Sequence, residues 1–161
     1  MAQSSNQDAI KVFQAGLDDA GSLAPLFDAY RRFYEQPADL PSAERFLQER
    51  LKRHESIILA AEAMDGATTG AVVGFTQLYP SFSSISMQPL YILNDLYVTP
   101  GSRRLGVGRA LLEGARAFAA RAGASSMVLQ TALTNLPAQT LYESLGWRRD
   151  TLYYTYELDL P

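Results

Sequence analysis

Gly106 and Gly108, set among Arg103, Arg104 and Arg109, are the residues whose types and spacing point most directly to chemistry. The run Arg103-Arg104-Leu105-Gly106-Val107-Gly108 follows an apolar strand candidate and a Pro/Gly turn, and it opens a helix that continues through Arg109 and Ala110. Glycines let a ligand approach the backbone closely, and amides at a helix N-terminus bind anions. The arginines add fixed positive charge suited to phosphate. Such a run can cradle a pyrophosphate, or it can be a plain strand-to-helix turn; spacing leaves both open. Two common nucleotide readings fail. A P-loop needs Lys-Ser/Thr where Arg109-Ala110 stand, and a dinucleotide fingerprint needs a small residue where Leu111 stands and an acid near Met127–Gln130.

A second constellation runs Asn135-Leu136-Pro137-Ala138-Gln139-Thr140-Leu141-Tyr142, ending in Gly146-Trp147. Ala138, Leu141, Tyr142 and Leu145 share a helical face, so Tyr142 reads first as a core aromatic, and Asn135 as a turn residue or helix cap. Asp95 stands inside the apolar run Tyr91–Val98, an unusual place for a charge. Alternation puts Leu93, Asp95 and Tyr97 on one face of that strand. His54, the sole histidine, reads as a helix-end or surface residue.

The elements that must position these residues follow from periodicity and punctuation. Ile10–Phe13 is a short strand. A helix capped by Asp18 carries Leu23, Leu26, Phe27, Tyr30, Phe33 and Tyr34 at helical spacing. Pro37 and Pro41 bracket a loop containing Asp39, and Ser42 caps a second helix. Strands over Ser56–Ala61 and Ala71–Tyr79 flank a turn at Asp65-Gly66, and Pro80–Pro89 reads as a Ser-rich loop. Strand Tyr91–Val98, helix Gly106–Arg121, strand Met127–Thr131, helix Pro137–Leu145 and two strands within Trp147–Leu158 complete the chain. The expected fold is α/β (α+β), a mixed central sheet with helices on both faces, in the order β-α-α-β-β-β-α-β-α-β-β.

The 161 residues are 47% hydrophobic and 19% charged, enough for one domain with a real core. A net charge of -3 argues against a nucleic-acid binder working through a broad basic face. Without cysteine there is no thiolate catalysis or Cys-based zinc site, and no metal is expected. The polar stretch Met1–Asp8 lacks the apolar run of a signal peptide, and no window reaches transmembrane length. No membrane association and a cytoplasmic location are expected.

Val98-Thr99-Pro100 followed by Arg103-x-x-Gly106-x-Gly108 resembles motif A of the GNAT superfamily of N-acetyltransferases, and Asn135-x-x-Ala138-x-x-Leu141-Tyr142-x-x-x-Gly146-Trp147 is similar to its motif B. Asn94-Asp95-Leu96-Tyr97-Val98 and the Phe33-Tyr34 helix end also resemble the branch of polyamine and yeast histone-type small acetyltransferases. Residues 1–8 read as a disordered tail, and the resemblance implies 9–161 as the acetyltransferase domain. It implies that Arg103 to Ala110 hold the pyrophosphate of acetyl-CoA. Leu96-Tyr97-Val98 would pair with the pantetheine arm as with an added strand, where the strand and its parallel neighbour splay apart. Asn135 would contact the pantetheine or acetyl end, and Tyr142 would protonate the departing CoA thiolate.

The chemistry is coherent on its own terms. An amine attacks a thioester only when neutral, yet a lysine-like amine has a pKa of about 10.4. A carboxylate, or a water it orders, can take the proton. Asp95 either fills that role or pairs structurally; some relatives carry an acid where Asn94 stands, which puts a two-carboxylate scheme in doubt. A strand amide near Leu96 can donate to the oxyanion. Phe33, Tyr34, Glu35 and Asp39 are candidates for the acceptor site, against the alternatives of helix core and solvated loop acids. The expected enzyme moves acetyl from acetyl-CoA to a primary amine of a small cationic molecule (polyamine, aminoglycoside or amino acid) or a lysine side chain, by direct attack in a ternary complex. The alternative is a non-catalytic acyl-CoA-binding sensor. A homodimer through the Tyr-rich Leu152–Leu158 strand is also expected, against an ordinary core hairpin.

Overall fold

A computed structural model describes residues 9–64, 66 and 69–161. The expected tail over residues 1–8 and Asp65 of the expected turn lie outside them. The chain divides into two compact units, residues 1–130 and 131–161.

The first unit is built on strands β1 (Ile10–Gln14), β2 (Ile57–Ala63), β3 (Val72–Ser83), β4 (Gln88–Val98) and β5 (Ser126–Val128). They lie in that order in one sheet, antiparallel throughout except for the parallel pair β4–β5. Helices α1 (Ala20–Phe33) and α2 (Leu40–Lys52) cover one face, where Leu23, Phe27 and Leu47 pack against Ile58, Ala60 and Phe75. Helix α3 (Val107–Arg121) covers the other. There a Cβ built on Gly74 would meet Val107 and Leu111, so residues 74, 76 and 78 of β3 face α3, and 75, 77 and 79 face α1 and α2.

Caps and turns differ from expectation at three places. Asp39, not Ser42, is the N-cap of α2: its carboxylate accepts from the Ser42 N–H at 3.1 Å. Pro41 stands in the first turn, where a missing N–H costs nothing. Asp19 rather than Asp18 borders α1, after a 3-10 turn over Leu17–Asp19. The Ser-rich loop shrinks to residues 84–87, because β3 and β4 continue as a ladder to Ser83↔Gln88. Beyond Leu78, β3 has lost its β2 partner, and an edge position tolerates Pro80.

The β3–β4 register carries a bulge that alternation does not reveal. Gln77 pairs with Asp95 but Leu78 pairs with Leu93, so Asn94 is an extra residue on β4. Leu93 therefore faces α3 with Leu78, whereas Asp95 and Tyr97 face α1; the expected single face for all three is overturned.

The second unit contains α4 (Leu136–Ser144), followed by Gly146 at φ 87. Residues 148–161 form neither helix nor strand, so the two expected final strands are absent and the observed order ends at α4. A strand exists only through its ladder, and no pairing reaches this segment; Tyr153, Tyr154 and Tyr156 are exposed.

Candidate active site

The glycine-rich turn grows out of the end of β4. The Thr99 N–H donates to Val73 O, and a 3-10 turn over Pro100–Ser102 leads into the run from Arg103. Gly106 is the N-cap of α3 at φ 91, a conformation that favours glycine; an added Cβ would find only Ile10 at 3.8 Å. Conformation, not space, thus requires this glycine. The first helical bond is Ala110 N–H to Gly106 O, which leaves the amides of Val107 and Gly108 outside the ladder at the positive end of the dipole.

The arginines around this turn have different duties. Arg103 folds back: its Nε donates to Val98 O at 3.0 Å, and its guanidinium lies 5.9 Å from the Tyr97 ring centre. It braces the turn against β4. Arg104 sits at φ 63, left-handed without being glycine, and is exposed, as is Leu105. Arg109 reaches Glu113 at 3.8 Å along the exposed side of α3.

Between turn and bulge, β4 opens on one side. Pairing with β5 covers only Leu90, Tyr91 and Ile92, so Leu96, Tyr97 and Val98 have β3 on one side and no ladder on the other. The strand expected over Met127–Thr131 ends at Val128, because β5 leaves β4 there. This divergence is the expected splay, and it presents backbone N–H and C=O groups of the kind an extended ligand can pair with.

At the bulge sits Asp95, 3% exposed. Its Oδ2 accepts from Gln77 Nε2 at 2.6 Å and its Oδ1 from Asn94 Nδ2 at 3.1 Å. Tyr30 of α1 donates from its hydroxyl to the Asn94 carbonyl at 3.2 Å and helps hold the Asp95 carboxylate. Burial pushes the Asp95 carboxyl above the ordinary carboxylate range, against the opposing pull of Gln77, Tyr30 and Asn94. Burial and the Asp95 charge push the Tyr79 phenol up to about 12. Thr76 Oγ1 donates to the Asp95 carbonyl at 2.8 Å from the other face.

The end of α1 approaches this carboxylate through aromatic contacts. Tyr30 meets Tyr34 edge-on at 5.1 Å, and Tyr34 meets Phe33 at 5.2 Å. Phe33 and Tyr34 keep about half their surface in water, at 58% and 45% exposure. Glu35 follows at φ 61 in the turn that ends the helix. Asp39 is occupied by capping α2, which holds its carboxyl below the ordinary range, and its N–H donates to Asp28. The structure thus groups Phe33 and Tyr34 with Asp95 through Tyr30, and gives Asp39 a helix for a partner. Sequence reasoning missed Tyr30, Gln77 and Asn94 as neighbours of the carboxylate. The signal available was Thr76-Gln77, two polar residues inside an otherwise apolar strand.

Within the second unit, Asn135 is at the N-cap position of α4, and its Nδ2 donates to Thr131 Oγ1 at 3.3 Å. The Tyr142 ring lies 6.1 Å from that of Trp147, whose N–H donates to Tyr142 O. His54 is an exposed turn residue after α2. Among the described residues no group of three or more acidic or histidine side chains could hold a metal ion, and no helix is long and apolar enough to cross a membrane.

Residues 23–147 match the model of the acetyltransferase (GNAT) family. The chain is 47% identical over 152 residues to the uncharacterised N-acetyltransferase YhfO of Bacillus subtilis (strain 168), covering 94% of this chain and 99% of that one. It is 27% identical over 152 residues to a probable acetyltransferase of Haemophilus influenzae, again covering 94% and 99%. A crystal structure of a probable acetyltransferase, 40% identical, superposes with a TM-score of 0.86 over 94% of this chain and 98% of that one.

Proposed function

The chain belongs to the GNAT family of acetyltransferases, and from that premise we propose that it moves an acetyl group from acetyl-CoA to a primary amine by direct attack in a ternary complex. The acceptor is a small cationic molecule (a polyamine, an aminoglycoside or an amino acid) or a lysine side chain. The observation that carries this reading is the buried Asp95 carboxylate, one residue before the open edge Leu96–Val98 that leads into the glycine turn.

The amides of Val107 and Gly108, with Arg104 and Arg109, receive the pyrophosphate. The open edge of Leu96-Tyr97-Val98 takes the pantetheine arm. Both assignments are supported by groups outside any ladder, which is what an anion and an extended amide chain need. Asp95 takes the ammonium proton of the acceptor onto its carboxylate, and burial makes it a stronger base than an exposed aspartate. An amide of the open edge donates to the oxyanion as the amine nitrogen bonds to the thioester carbon. When the C–S bond breaks, Tyr142 gives its phenolic proton to the leaving sulfur, the second proton of the acylated nitrogen restores the phenol, and Asn135 contacts the acyl end. Phe33 and Tyr34, half exposed beside Tyr30, offer aromatic faces to an alkylammonium; Glu35 adds charge in the same turn. A homodimer through Leu152–Leu158 is supported by the exposure of Tyr153, Tyr154 and Tyr156.

The test is CoA thiol release with acetyl-CoA over a panel of polyamines, aminoglycosides, amino acids and lysine peptides. Turnover with at least one cationic amine is expected, along with a rise in Tm on adding acetyl-CoA well above its Kd. No rise in Tm refutes the cradle, and stabilisation without turnover on any amine refutes the acceptor class.

A further inference from the structure

Gln77 is fully buried and directly opposite Asp95 in the β3–β4 ladder. Its Nε2 donates to Asp95 Oδ2 at 2.6 Å, while its Oε1, equally buried, has no hydrogen-bond partner. An orphaned buried acceptor is costly, and a leucine would fill similar space without it. The orphan therefore marks a group held ready for a donor. The two ends of a carboxamide have nearly the same shape, so a half-turn about the last side-chain bond exchanges them in place. Facing an ionised Asp95, Gln77 donates; facing a protonated Asp95, the same amide turned over accepts the new O–H. Neither Asn94, whose amide points at Oδ1, nor an aliphatic side chain could serve both states of Oδ2.

We propose that Gln77 is a positioning residue that holds the Asp95 carboxyl in one place through both of its protonation states. The proton it accommodates is the one Asp95 takes from the amine, so its catalytic consequence rests on the reading of Asp95 as the base. Its structural content does not. The other groups facing this carboxyl are few: the Tyr30 hydroxyl from α1, and the Tyr79 phenol from β3 with Arg50 of α2 acting on it. The Tyr79 phenol, pushed up to about 12, stays protonated over the working range. Arg50 has an ion-pair partner in Glu55 at 2.6 Å. Asp95, whose carboxyl burial pushes above the ordinary carboxylate range, is thus the group in this cluster that changes charge, and Gln77 is the partner that can follow it.

The experiment follows the Asp95 carboxyl carbon by NMR in protein carrying carbon-13 aspartate, beside the pH profile of kcat/KM. The wild type is compared with Gln77→Leu and Gln77→Met, the second an unbranched change that guards against a misfolded first. Asp95→Asn assigns the resonance. The variants lose a hydrogen bond in both protonation states, and because the bond to the charged form is the stronger, the Asp95 midpoint is expected to rise by about one pH unit in both. The acidic limb of kcat/KM moves by the same amount, with KM for acetyl-CoA unchanged. An Asp95 midpoint that stays put in folded Gln77→Leu or Gln77→Met overturns the proposal. A moved midpoint with an unmoved kinetic limb upholds the role of Gln77 and removes Asp95 as the base.

Discussion

Replacing Gly74 by alanine is expected to loosen the attachment of helix α3 to the sheet. The new methyl would stand 2.9 Å from Tyr97 O, 3.0 Å from Val107 Cγ1 and 3.2 Å from Leu111 Cδ1. One of these neighbours is backbone of β4 and the others are buried side chains in the first two turns of α3, so none yields freely. Overpacking of this kind costs about 1–3 kcal/mol. The smaller entropy of the unfolded alanine chain returns about 0.4–1 kcal/mol. The net loss at the middle of these ranges is about 1–2 kcal/mol, or a fall in Tm of about 2–8 °C for a chain of this size. Urea unfolding reads it as a lower midpoint at unchanged slope. Gly101→Ala is the control, since nothing lies within 4 Å of its added methyl; it should gain about 0.4–1 kcal/mol over wild type from the entropy term alone. A Gly74→Ala midpoint at or above that of Gly101→Ala would refute the close approach of β3 to α3.

Other perturbations reach the site itself. Because burial raises the Asp95 carboxyl above its ordinary 3.8, the folded chain binds more protons than the unfolded one between those two values, and stability falls as pH rises through that window. Asparagine cannot titrate, so the stability of Asp95→Asn relative to wild type should increase from pH 3 to pH 7; urea midpoints showing a constant difference would contradict this. Arg104 pays for a left-handed backbone, so Arg104→Gly should be more stable than Arg104→Ala by about 1 kcal/mol; thermal unfolding that ranks alanine first would dispose of the strain. Tyr142→Phe should lower kcat by about 10²-fold or more with acetyl-CoA affinity unchanged by calorimetry, whereas equal loss of both would make Tyr142 a binding residue.

Much of the fold was legible because helix spacing and glycine punctuation are local signals. Leu23, Phe27 and Leu47 are buried as the periodicity requires, and Gly106 and Gly146 both adopt positive φ at the helix ends they mark. What stayed hidden depends on partners distant in sequence. Asp39 and Ser42 are both good caps, and the choice turned on Pro41 being acceptable inside the helix rather than before it. Pro80 reads as a strand breaker until the ladder is seen to run past the end of β2. Residues Trp147 to Leu158 have strand-like composition, but composition supplies no neighbouring edge. At the site, the glycine turn was readable as a turn, while the pairing of Gln77 with Asp95 required a register set by one extra residue.

Exclusion of that extra residue from the ladder matters more than its side-chain type. Exchanging Asn94 for another amino acid leaves Asp95 turned toward α1, at the cost of one hydrogen bond. Deleting it would make Gln77↔Asp95 and Leu78↔Leu93 consecutive rungs and leave both side chains on their faces, whereas taking Asn94 into the ladder as an ordinary rung would put Leu93 and Asp95 on the same face. A lineage carrying this site can therefore drift at position 94 or lose it outright, whereas an ordinary rung in its place would deliver a carboxylate to the apolar core beneath α3 or a leucine to the face where Tyr30 and Gln77 meet Asp95.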